Sequence, residues 1–208
     1  MAFRPAPGEQ YTIRRKILTL FGASFHVFDD QGAMIAFCRQ KAFKLREDIR
    51  VYKDESREHE LFTIKARSIL DFGASYDVRL PEGTMIGSLR RRGLKSFVRD
   101  SWLLFDDSGE QFGTMEEDST GMALARRFLP MVALISPQSF RLVRGDGTAL
   151  ATLRTHFNPF VYRLGIAIHE SDERADDLLI LAAGCLIAAV EGRQDSGGDS
   201  VLDAVLGG

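Results

Sequence analysis

Apolar and polar residues alternate over short stretches along most of this chain, and the stretches come in pairs joined by a polar turn. Phe21-Gly22-Ala23-Ser24-Phe25-His26-Val27 matches Phe72-Gly73-Ala74-Ser75-Tyr76-Asp77-Val78, and the same offset of 51 residues lays Gly32-Ala33-Met34-Ile35-Ala36 on Gly83-Thr84-Met85-Ile86-Gly87 without a gap. Looser copies run from Trp102-Leu103-Leu104-Phe105 through Gly109 to Phe112-Gly113, and from Phe140-Arg141-Leu142-Val143 through Gly147 to Leu150-Ala151. An internal repeat of this kind organises a whole fold. Period-two alternation turns one face of each stretch toward a core, and the Gly-ended turns supply the positive φ that a reversal demands, so each unit predicts a β-hairpin. The turns Asp29-Asp30-Gln31-Gly32, Pro81-Glu82-Gly83, Asp106-Asp107-Ser108-Gly109 and Gly145-Asp146-Gly147 are acidic. They lack the alternating acidic ligands and distal Glu of a calcium loop, and are read as turns.

Further strands are predicted over Tyr11–Phe21, Glu47–Lys53, Glu60–Arg67 and Phe160–His169, where β-branched and aromatic residues dominate, giving about twelve strands in all. Ala36, Gly87, Gly113 and Ala151 hold the same place in the repeat and are all small, which predicts that another element approaches that face closely. Thr120–Leu129, stopped by Pro130, predicts a short helix. Leu178–Val190 has no polar side chain, and a helix apolar all round is buried all round. At ~1.5 Å per residue it reaches roughly 20 Å, short of the ~30 Å of a bilayer core, so it reads as a core helix. The acidic residues Asp172, Glu173, Asp176 and Asp177 suit its N-terminal dipole, and Glu191-Gly192-Arg193 ends it.

A mainly β fold, a closed barrel of about twelve antiparallel strands around a buried hydrophobic C-terminal helix, explains the small residues, the apolar helix and the protected strand edges together. Residues 10–193 form a single domain in this reading, with an N-terminal tail over 1–9 and a flexible tail over 194–208. Tyr11-Thr12-Ile13-Arg14-Arg15-Lys16-Ile17-Leu18, the Asp-x-x-Gly hairpins and the ending Ala175-Asp176-Asp177-Leu178-Leu179-Ile180-Leu181 resemble the LURP-one-related proteins, relatives of phospholipid scramblases and of the Tubby C-terminal domain. The resemblance spans roughly Gln10 to Arg193 and implies a barrel threaded by its terminal helix. Its scramblase branch implies Ca²⁺-dependent lipid movement through an acidic segment ahead of that helix. Here Glu170–Asp176 includes Arg174, lacks an alternating ligand pattern, and is not matched by an N-terminal cysteine cluster. The Tubby branch implies phosphoinositide binding through basic residues. The LURP-one-related branch implies a soluble intracellular barrel of unsettled role, and the leading reading of this chain is a non-catalytic binding or scaffold protein.

Composition adds limits. The formal charge of −2 argues against a surface built throughout for nucleic acid or an anionic bilayer, so an anion site must be local. Cys38 and Cys185 make neither a disulfide framework nor a thiolate metal cluster, and read as buried apolar thiols; a reducing cytoplasm is expected, with no signal segment and no transmembrane span. His26, His59, His156 and His169 are scattered. Neither a metal-ligand spacing, a phosphate loop nor a nucleophile elbow is present, so no cofactor, no metal and no enzyme activity are expected.

The dense cluster is Arg90-Arg91-Arg92-Gly93-Leu94-Lys95-Ser96-Phe97-Val98-Arg99, five cations in ten residues. Arg90, Arg91, Arg92, Lys95 and Arg99 are the candidate contacts for an anionic membrane lipid or an acidic protein partner, at the periphery of a membrane. The competing reading is a solvated strand end. Arg14-Arg15-Lys16 and Arg126-Arg127 are smaller clusters that could join it, and with Phe97 as the sole interleaved aromatic, nucleic acid is disfavoured. The alternatives are a scramblase or lipid-transfer protein, and an enzyme of unrecognised type.

Overall fold

The computed structural model of the 208-residue chain describes residues 5–16, 23–40, 49–68, 74–92, 101–117, 138–156 and 161–189. Twelve strands follow one another: β1 (Tyr11–Lys16), β2 (Ala23–Asp29), β3 (Met34–Gln40), β4 (Ile49–Tyr52), β5 (Glu60–Ser68), β6 (Ser75–Arg79), β7 (Met85–Arg91), β8 (Ser101–Phe105), β9 (Gln111–Glu117), β10 (Ser139–Arg144), β11 (Ala149–His156) and β12 (Val161–Ile168). Each pairs antiparallel with its neighbours in sequence, and β1 also pairs with β12, closing the barrel and leaving no edge. One helix, α1 (177–189), follows. The helix expected at Thr120–Leu129 lies outside the described residues.

The repeat is a repeat of hydrogen bonds. In each copy the first turn residue donates its amide to the carbonyl four residues on (Asp29 to Ala33, Leu80 to Thr84, Asp106 to Glu110, Arg144 to Thr148), and the glycine one before that donates back. Gly32, Gly83, Gly109 and Gly147 hold φ of 80°, 96°, 86° and 91°, where a Cβ is disfavoured. Asp29, Asp106 and Asp146 accept turn amides through their carboxylates, so the acids are there to fold the turns.

Each repeated hairpin also carries a register shift at the matched place, between Val27 and Phe28, Val78 and Arg79, Leu104 and Phe105, and Leu142 and Val143. The four small positions adjoin these bulges, which kink the strand locally. What limits their size differs from copy to copy. A Cβ on Gly87 would lie 2.7 Å from Leu179 Cδ2 of α1, but one on Gly113 would meet the Val143 carbonyl at 3.0 Å and Leu142 Cδ1 at 3.4 Å, both in β10. At Gly113 a neighbouring strand sets the size limit.

α1 fills the barrel. The Asp176 carboxylate accepts the Leu178 amide at 2.8 Å and its carbonyl accepts the Ile180 amide, an N-cap arrangement. From Leu179 to Ala189 the helix is buried on every side. It packs on Ile13, Val27, Phe62, Leu89, Leu104, Leu153 and Ile166 from strands all round the barrel. A Cβ on Gly184 would lie 2.8 Å from Ile166 Cδ1 and 3.0 Å from Ile13 Cδ1, so this glycine lets the helix seat against β12 and β1. Each buried Leu or Ile contributes roughly 1.5–3 kcal/mol. Leu179, Ile180, Leu181, Leu186 and Ile187 together match the full stability of an ordinary domain.

Candidate functional site

Strand direction gives the barrel two unlike ends. The turns β2–β3, β4–β5, β6–β7, β8–β9 and β10–β11 share one end with the segment leading into α1, and the remaining connections leave from the other, here called the loop end. The turn end carries Asp29, Asp30, Asp54, Glu55, Glu82, Asp106, Asp107, Asp146, Glu170, Asp172, Glu173, Asp176 and Asp177, which outnumber the cations Lys53, Arg57, Arg79, Arg144 and Arg174 at the same end. Strand positions toward the loop end carry Arg14, Arg39, Arg67, Arg90, Arg92 and Arg141, against Glu116 and Glu117 in β9. A net charge of −2 therefore hides a separation of charge along the barrel axis.

The expected cationic cluster lies at the loop end, and alternation splits it. Arg90 is exposed, with its guanidinium 4.8 Å from the centroid of Phe105 and its Nε donating to Ser75 Oγ at 3.3 Å. Arg92 is exposed and 3.9 Å from Glu116. Arg91 stands opposite Trp102, a core residue, and so faces inward. Lys95 and Arg99 lie outside the described residues. The structure thus places Arg90 and Arg92 on the outer surface and Arg91 at the mouth of the interior.

Arg15 shows the same inversion. It pairs with Phe25 and Tyr162 in register, is 7% exposed, and its guanidinium sits 5.9 Å and 5.5 Å from their ring centroids. Glu117, opposite the core residue Phe140, also points inward and is 5% exposed. Charged side chains therefore line the inside of the mouth, a feature sequence reasoning missed because it assigned charge to the outer face. The flanking aromatics were the available signal, since Arg stacks on ring faces.

At the opposite end two arginines pair with part of the acidic segment ahead of α1. Arg144 donates from Nε to Asp172 at 2.7 Å and from Nη2 to Glu170 at 3.0 Å, and lies 3.5 Å from Asp146. Asp172 accepts the Arg174 amide at 2.9 Å, and that bond, with the Arg144 bond, holds its carboxyl below the usual aspartate range. Asp176 caps the helix, and Asp177 accepts the Tyr11 hydroxyl at 2.9 Å. Burial, then the bond to Asp177, pushes Tyr11 up to about 12. Guanidinium groups, amides and the Tyr11 hydroxyl thus engage Glu170, Asp172, Asp176 and Asp177, and the segment acts as a latch on the helix.

The remaining chemistry is structural. Cys38 and Cys185 are free and buried; burial pushes Cys38 up to about 12 and Cys185 also upward. His26 bonds Glu55 at 2.6 Å and His169 bonds Thr152 at 2.8 Å. Among the described residues no group of three or more His, Cys, Asp or Glu is placed to hold a metal, and no helix is long and apolar enough to cross a membrane.

No curated protein matches this chain. A sequence model of the LURP-one-related family matches residues 34–183, a stretch that takes in β3 to β12 and the first part of α1. That match covers well over half of the chain, and the chain belongs to the LURP-one-related family.

Proposed function

We propose that this chain is a non-catalytic binding or scaffold protein that docks by its loop end on anionic membrane lipid headgroups, as a cytoplasmic protein at the membrane periphery. The observation that supports this is the axial charge separation, with Arg90 and Arg92 exposed at the loop end and the acidic turns at the far end. A dipolar body approaches a negative surface positive end first. Arg90, Arg92, Lys95 and Arg99 are the contacts. At about 1 kcal/mol per cation near such a surface, the four supply roughly 4 kcal/mol, on the order of a thousandfold in affinity.

The test is co-sedimentation with vesicles of graded phosphatidylserine content. Native protein is expected to pellet increasingly with anionic fraction, and Arg90→Glu/Arg92→Glu/Lys95→Glu to stay in the supernatant. Raised salt should weaken pelleting, and chelating Ca²⁺ should leave it unchanged. Native protein that never pellets, or a triple variant that pellets equally, overturns the lipid reading and turns attention to an acidic protein partner.

A further inference from the structure

The segment ahead of β1 folds back along the outer wall of the barrel. Ala6 to Glu9 form a turn closed by the Glu9 amide on the Ala6 carbonyl at 3.2 Å, with Gly8 at φ 83°. Pro7 and Gly8 are the residues such a reversal selects at its two central places. The turn aims the Glu9 carboxylate at the wall, directly over Gly165. There Oε1 meets Nε2 of His156, and Oε2 lies 3.3 Å from the Arg163 guanidinium, from the Thr12 hydroxyl and from the Ala6 amide. A Cβ on Gly165 would overlap the carboxylate. The missing side chain therefore leaves a notch in the outer face, and Glu9 fills it with its side chain 9% exposed.

We propose that this notch is a carboxylate-binding site whose present occupant is the chain's own Glu9, and that it takes a carboxylate from outside when Glu9 leaves it. The walls carry more positive charge than one residue needs. Arg154 stands opposite Gly165, so its backbone brings a further cationic side chain alongside; Arg14, opposite Arg163, turns its guanidinium over Phe28 of β2 instead. The strap itself is weakly anchored. Pro7 and Gly8 are exposed and Pro5 and Ala6 half-buried, and among the described residues 5–9 no large apolar side chain ties it down. What attaches it is Glu9 and the Gln10 amide group, which pairs with the backbone of Ile168 at 2.7 Å and 3.3 Å. Swapping Glu9 for an external carboxylate exchanges like for like, so the desolvation of the notch is not incurred anew. His156 and Arg163 remain 28% and 23% exposed, which gives the incoming group an approach. The ligand class is an acidic side chain or a chain-terminal carboxylate of a partner. The site is on the wall, and stands whether or not the loop end binds lipid.

The test uses the full chain and acetate as the probe. Glu9→Ala should melt below the native protein. Sodium acetate should raise its melting temperature with a saturable dependence that sodium chloride of equal ionic strength does not reproduce, while the native protein, its notch filled, should not respond beyond the chloride control. Glu9→Ala/Gly165→Val, with the notch occupied by a valine, should lose the acetate response. Should Glu9→Ala not fold, Glu9→Ser also empties the notch while keeping a polar strap, and acetate-dependent shifts of its Gly165 and His156 amide resonances read binding directly. An acetate effect no larger than that of chloride, or one that persists with valine at 165, overturns the proposal.

Discussion

Replacing Gly87 by alanine adds a single methyl where the structure leaves no room on two sides. The new Cβ would sit 2.7 Å from Leu179 Cδ2 of α1 and 2.7 Å from the Phe105 carbonyl oxygen. Leu179 can rotate; the carbonyl belongs to the β7–β8 ladder, which cannot retreat without breaking bonds. Overpacking of this kind costs roughly 1–3 kcal/mol. The φ of 154° at Gly87 adds strain on the order of 1–3 kcal/mol for a residue with a side chain. The sum, with a middle value near 4 kcal/mol, corresponds to a fall of roughly 8–16 °C in melting temperature for a domain of this size. Gly109→Ala is the control, because Gly109 has φ 86° with nothing within 4 Å and so reports backbone strain alone. The contact with the helix is isolated by a double-mutant cycle with Leu179→Ala, which removes the crowding methyls and should couple to Gly87→Ala by about 0.5–3 kcal/mol. Thermal or urea unfolding of the four proteins of the cycle and of the Gly109→Ala control measures it. Strict additivity, with Gly87→Ala no worse than Gly109→Ala, would refute the claim that α1 presses on β7 at this point.

Two further outcomes follow from the same geometry. Asp106, Asp146 and Asp172 have carboxyls held below the aspartate range, first by the Ser108 hydroxyl, the Thr148 amide and the Arg174 amide respectively; their contribution is complete above the unfolded value of about 4 and is lost as pH falls through the folded values. Melting temperature should thus hold level above pH ~5 and fall below pH ~4, less steeply in Arg144→Met, and an unchanged acid limb in that variant would count against the latch. Because thiolate is the reactive form and burial drives both thiols up, Cys38 and Cys185 should resist a thiol reagent in the native protein and label together on unfolding; native labelling of either one would place it outside the core.

The hairpins were legible because their signal is local. A Gly three residues after an Asp, between alternating stretches, determines a turn whatever the rest of the chain does, and the observed turns at Asp29 and Asp106 follow that chemistry. The apolar run that becomes α1 was equally plain, since no soluble surface tolerates Leu, Ile and Ala on every face. What was not legible depends on register across the closed sheet. Alternation alone gives Arg15 and Arg91 a face, but which face is settled by the partners they meet, Phe25 and Tyr162 for one and Trp102 for the other. The cluster from Arg90 to Arg99 was visible as density of charge; its division between the outer wall and the mouth was not. Glu9 looked like part of a tail, because its partners Arg163 and His156 come from the far end of the chain.

Where ligands can bind is narrowed by what fills the barrel. A carrier that takes a lipid chain inside needs an interior wide enough to leave a cavity, as larger barrels do. Here the interior is taken by a helix buried on every side from Leu179 to Ala189. Withdrawing that helix would expose at least five large aliphatic side chains, at roughly 1.5–3 kcal/mol each, a cost on the scale of unfolding the domain. The Arg144 latch and the Asp176 cap would be broken in the same step. Helix release is therefore not a low-energy motion of the folded protein, and transfer of a lipid through the core would require it. Docking at the charged end and exchange at the wall notch require no such change. Arg90 and Arg92 for the one, and His156 and Arg163 for the other, already reach the surface, so both should survive a cross-link that ties α1 to its wall.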